Sequence, residues 1–412
     1  MNGMNWRDTP AEEAFRAKVQ IFIHDRFPVN YRVDFGAEHS LEPDDVWGYN
    51  WPVDRLSKYE DRRNGARDWA TALAEHGWIA PCWPVELGGA GLSAVEDFIL
   101  QEELMRARVP TVNSNGARLL GPTLLKHGTE EQWAEHLPGI ARGDVVWAQG
   151  FSEPDAGSDL AAVRTRAVRD GDHYVLNGQK VWTSLGQYAN WLFVLVCTDP
   201  GASTHKGLSF LLVDATSPGL VIRGIEDIRG AAPFAEIFFD DVRVPAKNLV
   251  GEENAGWYVA MTTLTLERAG IGSVVKFEQA VEDLIAHVQD GCESGYLRRD
   301  QSRLRHEIVR RYAEVRMLRN LAQYTISRAA SGSVPGYEAS INQLFGAELH
   351  QRLARTGQNA LGVAGQSWHD DGAPPAATFA HIRLDAIATT FLGGTTEIQR
   401  NIIATRGLGL PR

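Results

Sequence analysis

Two stretches of this 412-residue sequence combine small, polar and aromatic residues in a way suited to a flat ligand. The first is Gln149-Gly150-Phe151-Ser152-Glu153-Pro154-Asp155-Ala156-Gly157-Ser158-Asp159. Its glycines let backbone approach a ligand closely, and its N–H groups and hydroxyls are hydrogen-bond donors. The plainer alternative is a polar surface loop. The second is Trp182-Thr183-Ser184, an aromatic surface beside two hydroxyls. A tryptophan at a strand end usually packs in a core. Hydroxyls next to an aromatic wall also suit the edge of a heteroaromatic ring.

Further along, Leu266-Glu267-Arg268 sets a carboxylate beside a guanidinium. Adjacent opposite charges on a helix are generally solvated and contribute little. A desolvated Glu267 would instead have a raised pKa, because burial disfavours the charged form, and would suit proton abstraction near neutrality. Near the end, the pair Gly393-Gly394 precedes Thr395 and then Thr396-Glu397-Ile398-Gln399, which has the spacing of a capping box. A helix starting there offers N–H groups to an anion, or is simply a well-capped helix.

The elements that must position these residues fall into three segments. Residues 1–144 read as helical, with apolar residues at three- and four-residue spacing in Phe15, Val19, Ile21 and Phe22, in Trp69, Leu73 and Trp78, and in Phe98, Ile99 and Leu104. Thr129 before Glu130, Glu131 and Gln132 predicts a helix N-cap. Pro81, Pro84, Gly88, Gly89 and Gly91 mark a loop, and 28–50 has no assignable pattern.

Residues 145–253 change period. Two hairpins are predicted, turning at Asp170-Gly171 and at Asn177-Gly178, followed by short β-rich runs over 191–198, 208–213, 220–225 and 236–244. At least six short strands favour a closed or nearly closed antiparallel sheet. Residues 254–412 return to helix, with periodic stretches over 259–288, 302–331, 338–362 and 396–405, broken among other places at Pro374 and Pro375. The expected fold class is therefore α+β multidomain: an N-terminal α-helical domain, a central antiparallel β-barrel-like domain and a C-terminal four-helix bundle.

Bulk properties narrow the function. A formal net charge of −11 opposes a nucleic-acid partner, since phosphate binding needs basic surface. The longest central apolar run, from Trp191 to Cys197, is far shorter than the roughly 20 residues of a bilayer span. The charged start lacks an apolar signal core, so a cytoplasmic location is expected. Cys82, Cys197 and Cys292 have no CxxC spacing, so neither a disulfide framework nor a metal site is expected.

Four stretches, in order, resemble motifs of the acyl-CoA dehydrogenases: Gln149 to Leu160, Val175 to Trp182, Phe238-Phe239-Asp240-Asp241-Val242-Arg243-Val244-Pro245, and Gly394-Thr395-Thr396-Glu397-Ile398-Gln399-Arg400-Asn401-Ile402-Ile403. The resemblance implies FAD as cofactor, an acyl-CoA thioester as substrate, an external acceptor of the electron-transfer flavoprotein kind and a homo- or hetero-tetramer. It places the Phe151 backbone and Ser152 along the flavin, Trp182 packed on it and Ser184 at its N5 side, with Thr183 also among the cofactor-binding residues. It puts Ser158 against the pantetheine arm and Thr395 and Glu397 near the adenosine part, from a neighbouring subunit.

Many members of that family carry the catalytic glutamate just before the C-terminal Gly-Thr, where this sequence has Gly393. A smaller set, including isovaleryl-CoA dehydrogenase, carries it in a Leu-Glu-Arg sequence on the first helix after the β domain. Leu266-Glu267-Arg268 matches that alternative, which implies Glu267 as base and Arg268 as a positioning or electrostatic residue. The small Gly393 would leave room for a branched or bulky acyl group, such as a steroid side chain. The family's Arg-x-x-Phe-Gly sequence is absent, with Arg298, Arg299 and Arg303 as the nearest basic substitutes, and its Gly-rich loop is degenerate at Leu361-Gly362-Val363-Ala364-Gly365. That departure allows a second reading, a subunit of a mixed assembly with an incomplete FAD site. A flavin oxidase or monooxygenase on the same scaffold is a third, and a non-catalytic subunit a fourth.

Overall fold

The computed structural model describes residues 8–32, 50–203, 205–267, 272–293, 301–330, 336–366 and 374–411. The N-terminal part is helical: α1 (Pro10–Arg26), α2 (Trp51–Asp54), α3 (Glu60–Ala74), α4 (Ala94–Arg106), then a π-helical turn (Asn115–Leu120) running into α5 (Gly121–His127), and α6 (Glu130–Ala141). Three of these starts are capping boxes, at Thr9 with Glu12, Ser93 with Glu96, and Thr129 with Gln132. Each satisfies two of the backbone N–H groups a helix start leaves open. On α1 the buried stripe is Val19, Phe22 and Ile23, whereas Ile21 faces solvent at 62% exposure. The buried tryptophans keep their polar end paired: Trp69 Nε1 donates to Pro110 O at 2.9 Å and Trp83 Nε1 to Ala117 O at 3.0 Å.

The central sheet is built from β1 (Trp147–Gly150), β2 (Arg166–Asp170), β3 (His173–Ser184), β4 (Trp191–Cys197), β5 (Leu208–Asp214), β6 (Leu220–Ile225), β7 (Phe234–Pro245) and β8 (Leu249–Val250), in the order β6-β7-β3-β2-β4-β5-β8. It is mostly antiparallel, and β1 joins it by parallel pairing with β4. The continuous apolar runs of β4 and β5 have a simple cause, because both faces are covered. Phe193, Leu195, Phe210 and Leu212 pack with the N-terminal helices, and Leu192, Val194, Val196, Leu211 and Val213 fill the sheet's own interior.

The hairpin at Asp170-Gly171 is present, with Asp170 paired to His173. The turn expected at Asn177-Gly178 is not a turn. β3 runs straight through it, and a register shift against β7 between Leu176 and Gly178 marks a bulge there. Gly178 has φ 147°, and a Cβ on it would lie 2.7 Å from Thr165 Cα. Asn177 pairs twice with Asp241 on β7, donating from Nδ2 at 2.9 Å and accepting the backbone N–H at 3.0 Å. The Asn-Gly pair thus serves a bulge in a 12-residue strand.

The C-terminal part holds α7 (Gly256–Glu267), α8 (Gly272–Glu293), α9 (Gln301–Ala330), α10 (Tyr337–Leu361), α11 (Pro374–Ala388) and α12 (Thr396–Ile402). The periodic stretch over 259–288 divides between α7 and α8. Pro374 and Pro375, which predict a break, instead open α11; proline is well suited to the first helical turn, where its missing N–H costs nothing. The bundle core includes Val281, Leu284, Val315, Leu318, Leu349, Leu353, Phe379 and Ile382. Gly357 lets α10 and α11 meet, since a Cβ there would lie 2.0 Å from the Phe379 ring.

A buried ion network joins the bundle to the N-terminal helices. Arg319 of α9 reaches Glu102 of α4 and Glu278 of α8, the latter at 2.6 Å. Arg16 of α1 pairs with Glu102 at 2.8 Å and with Glu103, and Arg106 with Glu102 at 3.0 Å. Among the described residues, no helix is long and apolar enough to cross a membrane.

Candidate functional site

The segment after β1 is fastened to β3 at several points. Val181 N donates to Ser152 O at 2.9 Å. Lys180 Nζ, wholly buried, donates to Phe151 O at 2.9 Å and to Glu153 Oε1 at 2.8 Å. Glu153 also accepts the N–H groups of Arg164 and Thr165 at 2.6 and 2.7 Å. Burial pushes the Glu153 pKa up, but Lys180, Thr165 and the Arg164 N–H outweigh it and hold the carboxyl below its usual range. The Phe151 ring lies edge-on to Phe193 and Phe210 in the core, so only its backbone faces the loop side. Ser158 sits on the exposed outer part of the same loop.

At the end of β3 a second register shift, between Lys180 and Thr183, interrupts the pairing with β7. Regular alternation from buried Lys180 would turn Trp182 inward. The irregularity instead leaves Trp182 58% exposed, with φ 62°, and sends Thr183 inside. A large residue in the left-handed region costs of order 1 kcal/mol or more. Trp182 is therefore not core packing: it offers a ring face on the sheet rim, braced edge-on by Phe234 at 6.1 Å.

Thr183 Oγ1 and Gln149 Oε1 are buried and have no hydrogen-bond partner among the described residues. Unsatisfied buried polar atoms are costly. Ser184 is exposed and lines a cleft of about 180 Å³ together with Trp51, Thr111, Asn113, Trp147 and Leu185. The Val181–Ser152 bond thus sets the Phe151–Ser152 backbone beside the end of β3, where Trp182 and Ser184 face out and Thr183 faces in.

The C-terminal turn is organised separately. Gly393 and Gly394 both have positive φ, 63° and 95°. The cap of α12 is Thr395, whose hydroxyl accepts from Ile398 N at 3.2 Å, one residue earlier than the spacing suggested. Thr396 is buried and its hydroxyl turns to Glu397 at 3.1 Å. Gln399, fully buried, is freed from capping and donates to Gly393 O at 3.0 Å and Gly394 O at 3.3 Å. Gln343 of α10 donates to Leu392 O at 3.0 Å. Glu397 is exposed, and the N–H groups of its own helix start, followed by the Thr396 hydroxyl, hold it below the usual carboxylate range. These bonds tie the turn to its own segment and to α10.

Glu267 closes α7, but its side chain lies outside the described residues, as do Arg268, Arg298 and Arg299. Arg303 is 82% exposed and pairs with Glu307 at 3.3 Å. Val363, in the degenerate glycine loop, is 87% exposed. Sequence reading missed Lys180, Glu153 and Gln399 as organisers, although each sits inside a motif already singled out. The signal was a lysine where strand alternation requires a buried residue.

A flat heteroaromatic group fits the exposed ring face of Trp182 and the exposed hydroxyl of Ser184 two residues on. Family models for acyl-CoA dehydrogenases match all three parts of the chain: the N-terminal domain over residues 53–144, the middle domain over 148–242 and the C-terminal domain over 254–408. The chain belongs to the acyl-CoA dehydrogenase family, FAD-dependent oxidoreductases acting on CH–CH groups. Among relatives, it is 38% identical to acyl-CoA dehydrogenase IpdE1 of Mycobacterium tuberculosis over 97% of this chain and 98% of that one. Among solved structures, it is similar to the Tcur3481-Tcur3483 steroid ACAD, with TM-score 0.83 and 32% identity over 99% of this chain and 100% of that one. The ChsE4-ChsE5 complex from M. tuberculosis matches with TM-score 0.81 and 31% identity over 99% and 100%.

Proposed function

We propose that this chain catalyses α,β-dehydrogenation of a CoA thioester bearing a bulky, polycyclic acyl group of the steroid side-chain kind. Residues 1–144, 145–253 and 254–412 would be its three domains. The observation that carries this reading is the end of β3 itself, an outward Trp182 two residues before the exposed Ser184 hydroxyl. When bound there, FAD supplies the hydride acceptor. Trp182 packs on the ring, the Phe151 backbone, Ser152, Thr183 and Ser184 meet its edge, and Thr395 and Glu397 serve the adenosine end of a neighbouring subunit's FAD.

Glu267 takes the α-proton, with Arg268 beside it, and Ser158 holds the pantetheine arm. Gly393 supports this assignment: it is exposed at φ 63°, a conformation that a glutamate would adopt only with strain. The acyl group would extend toward the cleft beside Ser184. The bulky-substrate reading draws on a relative described as a steroid ACAD. The two-component names of both solved relatives support a mixed-subunit assembly, in which a partner chain supplies the diphosphate anchors that are poor here. Electrons would pass to an external acceptor of the electron-transfer flavoprotein kind.

The test is anaerobic titration of the natively purified protein with CoA esters, following loss of the flavin's visible absorption. Polycyclic acyl-CoA esters are expected to bleach it and straight medium chains to leave it coloured. The opposite preference would overturn the substrate assignment. Native mass and the flavin-to-chain ratio of the same sample test the assembly, and a fully flavinated homomer would refute the mixed version.

A further inference from the structure

Lys180 is 0% exposed, and nothing in the mechanism above uses its charge. Burial pushes its pKa down to about 8 even against the attraction of Glu153. A buried ion pair of this kind rarely adds stability over an apolar pair of equal volume, because both charges lose their hydration. Its geometry is more informative. Nζ ties Phe151 O and Glu153 Oε1 to β3, while the same carboxylate ties Arg164 N and Thr165 N. One lysine and one glutamate therefore close the base of the whole loop. Two residues before the loop's base Gln149 carries an unpaired oxygen, two residues after Lys180 Trp182 turns outward, and Ser158 sits on the loop's outer bend.

We propose that Lys180 and Glu153 are positioning residues for the flavin ring, locking the Phe151–Ser152 backbone to the Trp182–Ser184 rim as one preset unit. The assignment rests on the FAD reading above. Neither side chain touches reacting atoms. Their effect is on how well formed the ring site is before the ring arrives, which lowers the ordering cost of binding.

The experiment uses the natively purified protein with any subunits that co-purify, in wild-type form, as Lys180→Met and as the double variant Lys180→Met/Glu153→Gln. Three quantities are read: the FAD Kd by fluorescence quenching of flavin-stripped protein, the visible circular dichroism of bound flavin, and the melting midpoint of the flavin-free form. Lys180→Met leaves a buried unpaired carboxylate; if it does not fold, the double variant, which leaves no charge unpaired, carries the comparison. The expected result is a folded double variant, somewhat less stable without flavin because the new amide opposes one backbone N–H and Phe151 O loses its donor, with an FAD Kd raised about tenfold, or about 1.4 kcal/mol, beyond what that loss accounts for, and an altered flavin dichroism. A double variant with wild-type Kd and dichroism overturns the proposal. So does a weaker Kd matched by an equal loss of flavin-free stability, which would make the pair merely structural. A wild-type protein that takes up no flavin removes the FAD reading itself, and the two failures are told apart by that control.

Discussion

At the scale of single residues, the proposed chemistry asks one carboxylate to accept a proton and several side chains to hold a ring. Glu267→Gln keeps the shape of the side chain and removes its basicity. We expect it to fold and to retain flavin while lowering the rate of flavin reduction by acyl-CoA by about 10²–10⁴, the usual worth of a positioned base; a stopped-flow rate equal to wild type would discard Glu267 as the base. At this level the sequence names candidates, because residue types at motif positions carry their own chemistry. The outward setting of Trp182 is not written there, since a tryptophan at a strand end reads equally as core. Only the irregular pairing with β7, a property of two strands together, turns it outward. Gln399 was misread for a related reason: the cap shifted by one residue to Thr395, and the glutamine was released to pin Gly393 and Gly394.

At the scale of elements, helices with capping boxes and strands with apolar runs announced themselves, as at Thr129 and over β4 to β6. What failed did so where one local signal serves two structures. Asn177-Gly178 has the sequence of a tight turn, but here the second strand of the expected hairpin continues the first, because β7 pairs along both halves. Pro374 and Pro375 break a helix interior and equally begin one. The bulge at Gly178 yields a prediction. Gly178→Ala must accept φ 147° and a Cβ 2.7 Å from Thr165 Cα, which is backbone that cannot simply rotate away. Thr165 is also a donor to Glu153, so the strain reaches the loop base. A loss of about 1–3 kcal/mol is expected from the urea midpoint, with weakened flavin retention. Unchanged stability would show that β3 relaxes freely there.

At the scale of the whole molecule, the helical parts are joined through charges that no sequence pattern revealed, since Arg16, Glu102, Glu278 and Arg319 lie far apart in the chain and look like ordinary helix surface. Burial pushes Glu102 up, but Arg319, then Arg16 and Arg106, more than compensate and hold it below the usual carboxylate range. A carboxyl whose folded pKa is depressed contributes stability at pH values above its unfolded value, about 4.3, and loses that contribution as pH falls through the folded value. Acid should therefore loosen the docking of α8 and α9 on α1 and α4 before it melts the sheet, whose core is apolar. Arg319→Met leaves Glu102 and Glu278 buried with their best partner gone. A cost of about 3–5 kcal/mol is expected at neutral pH, the usual worth of breaking a buried ion pair from one side. The deficit should shrink as pH falls from neutral, because without Arg319 the buried Glu102 carboxyl protonates at higher pH than in wild type and, once protonated, no longer needs the guanidinium. Thermal unfolding of wild type and Arg319→Met across pH 3 to 7 measures this: curves that converge in acid support the clamp, and a constant offset at every pH would mean that Arg319 acts through packing of its stem instead.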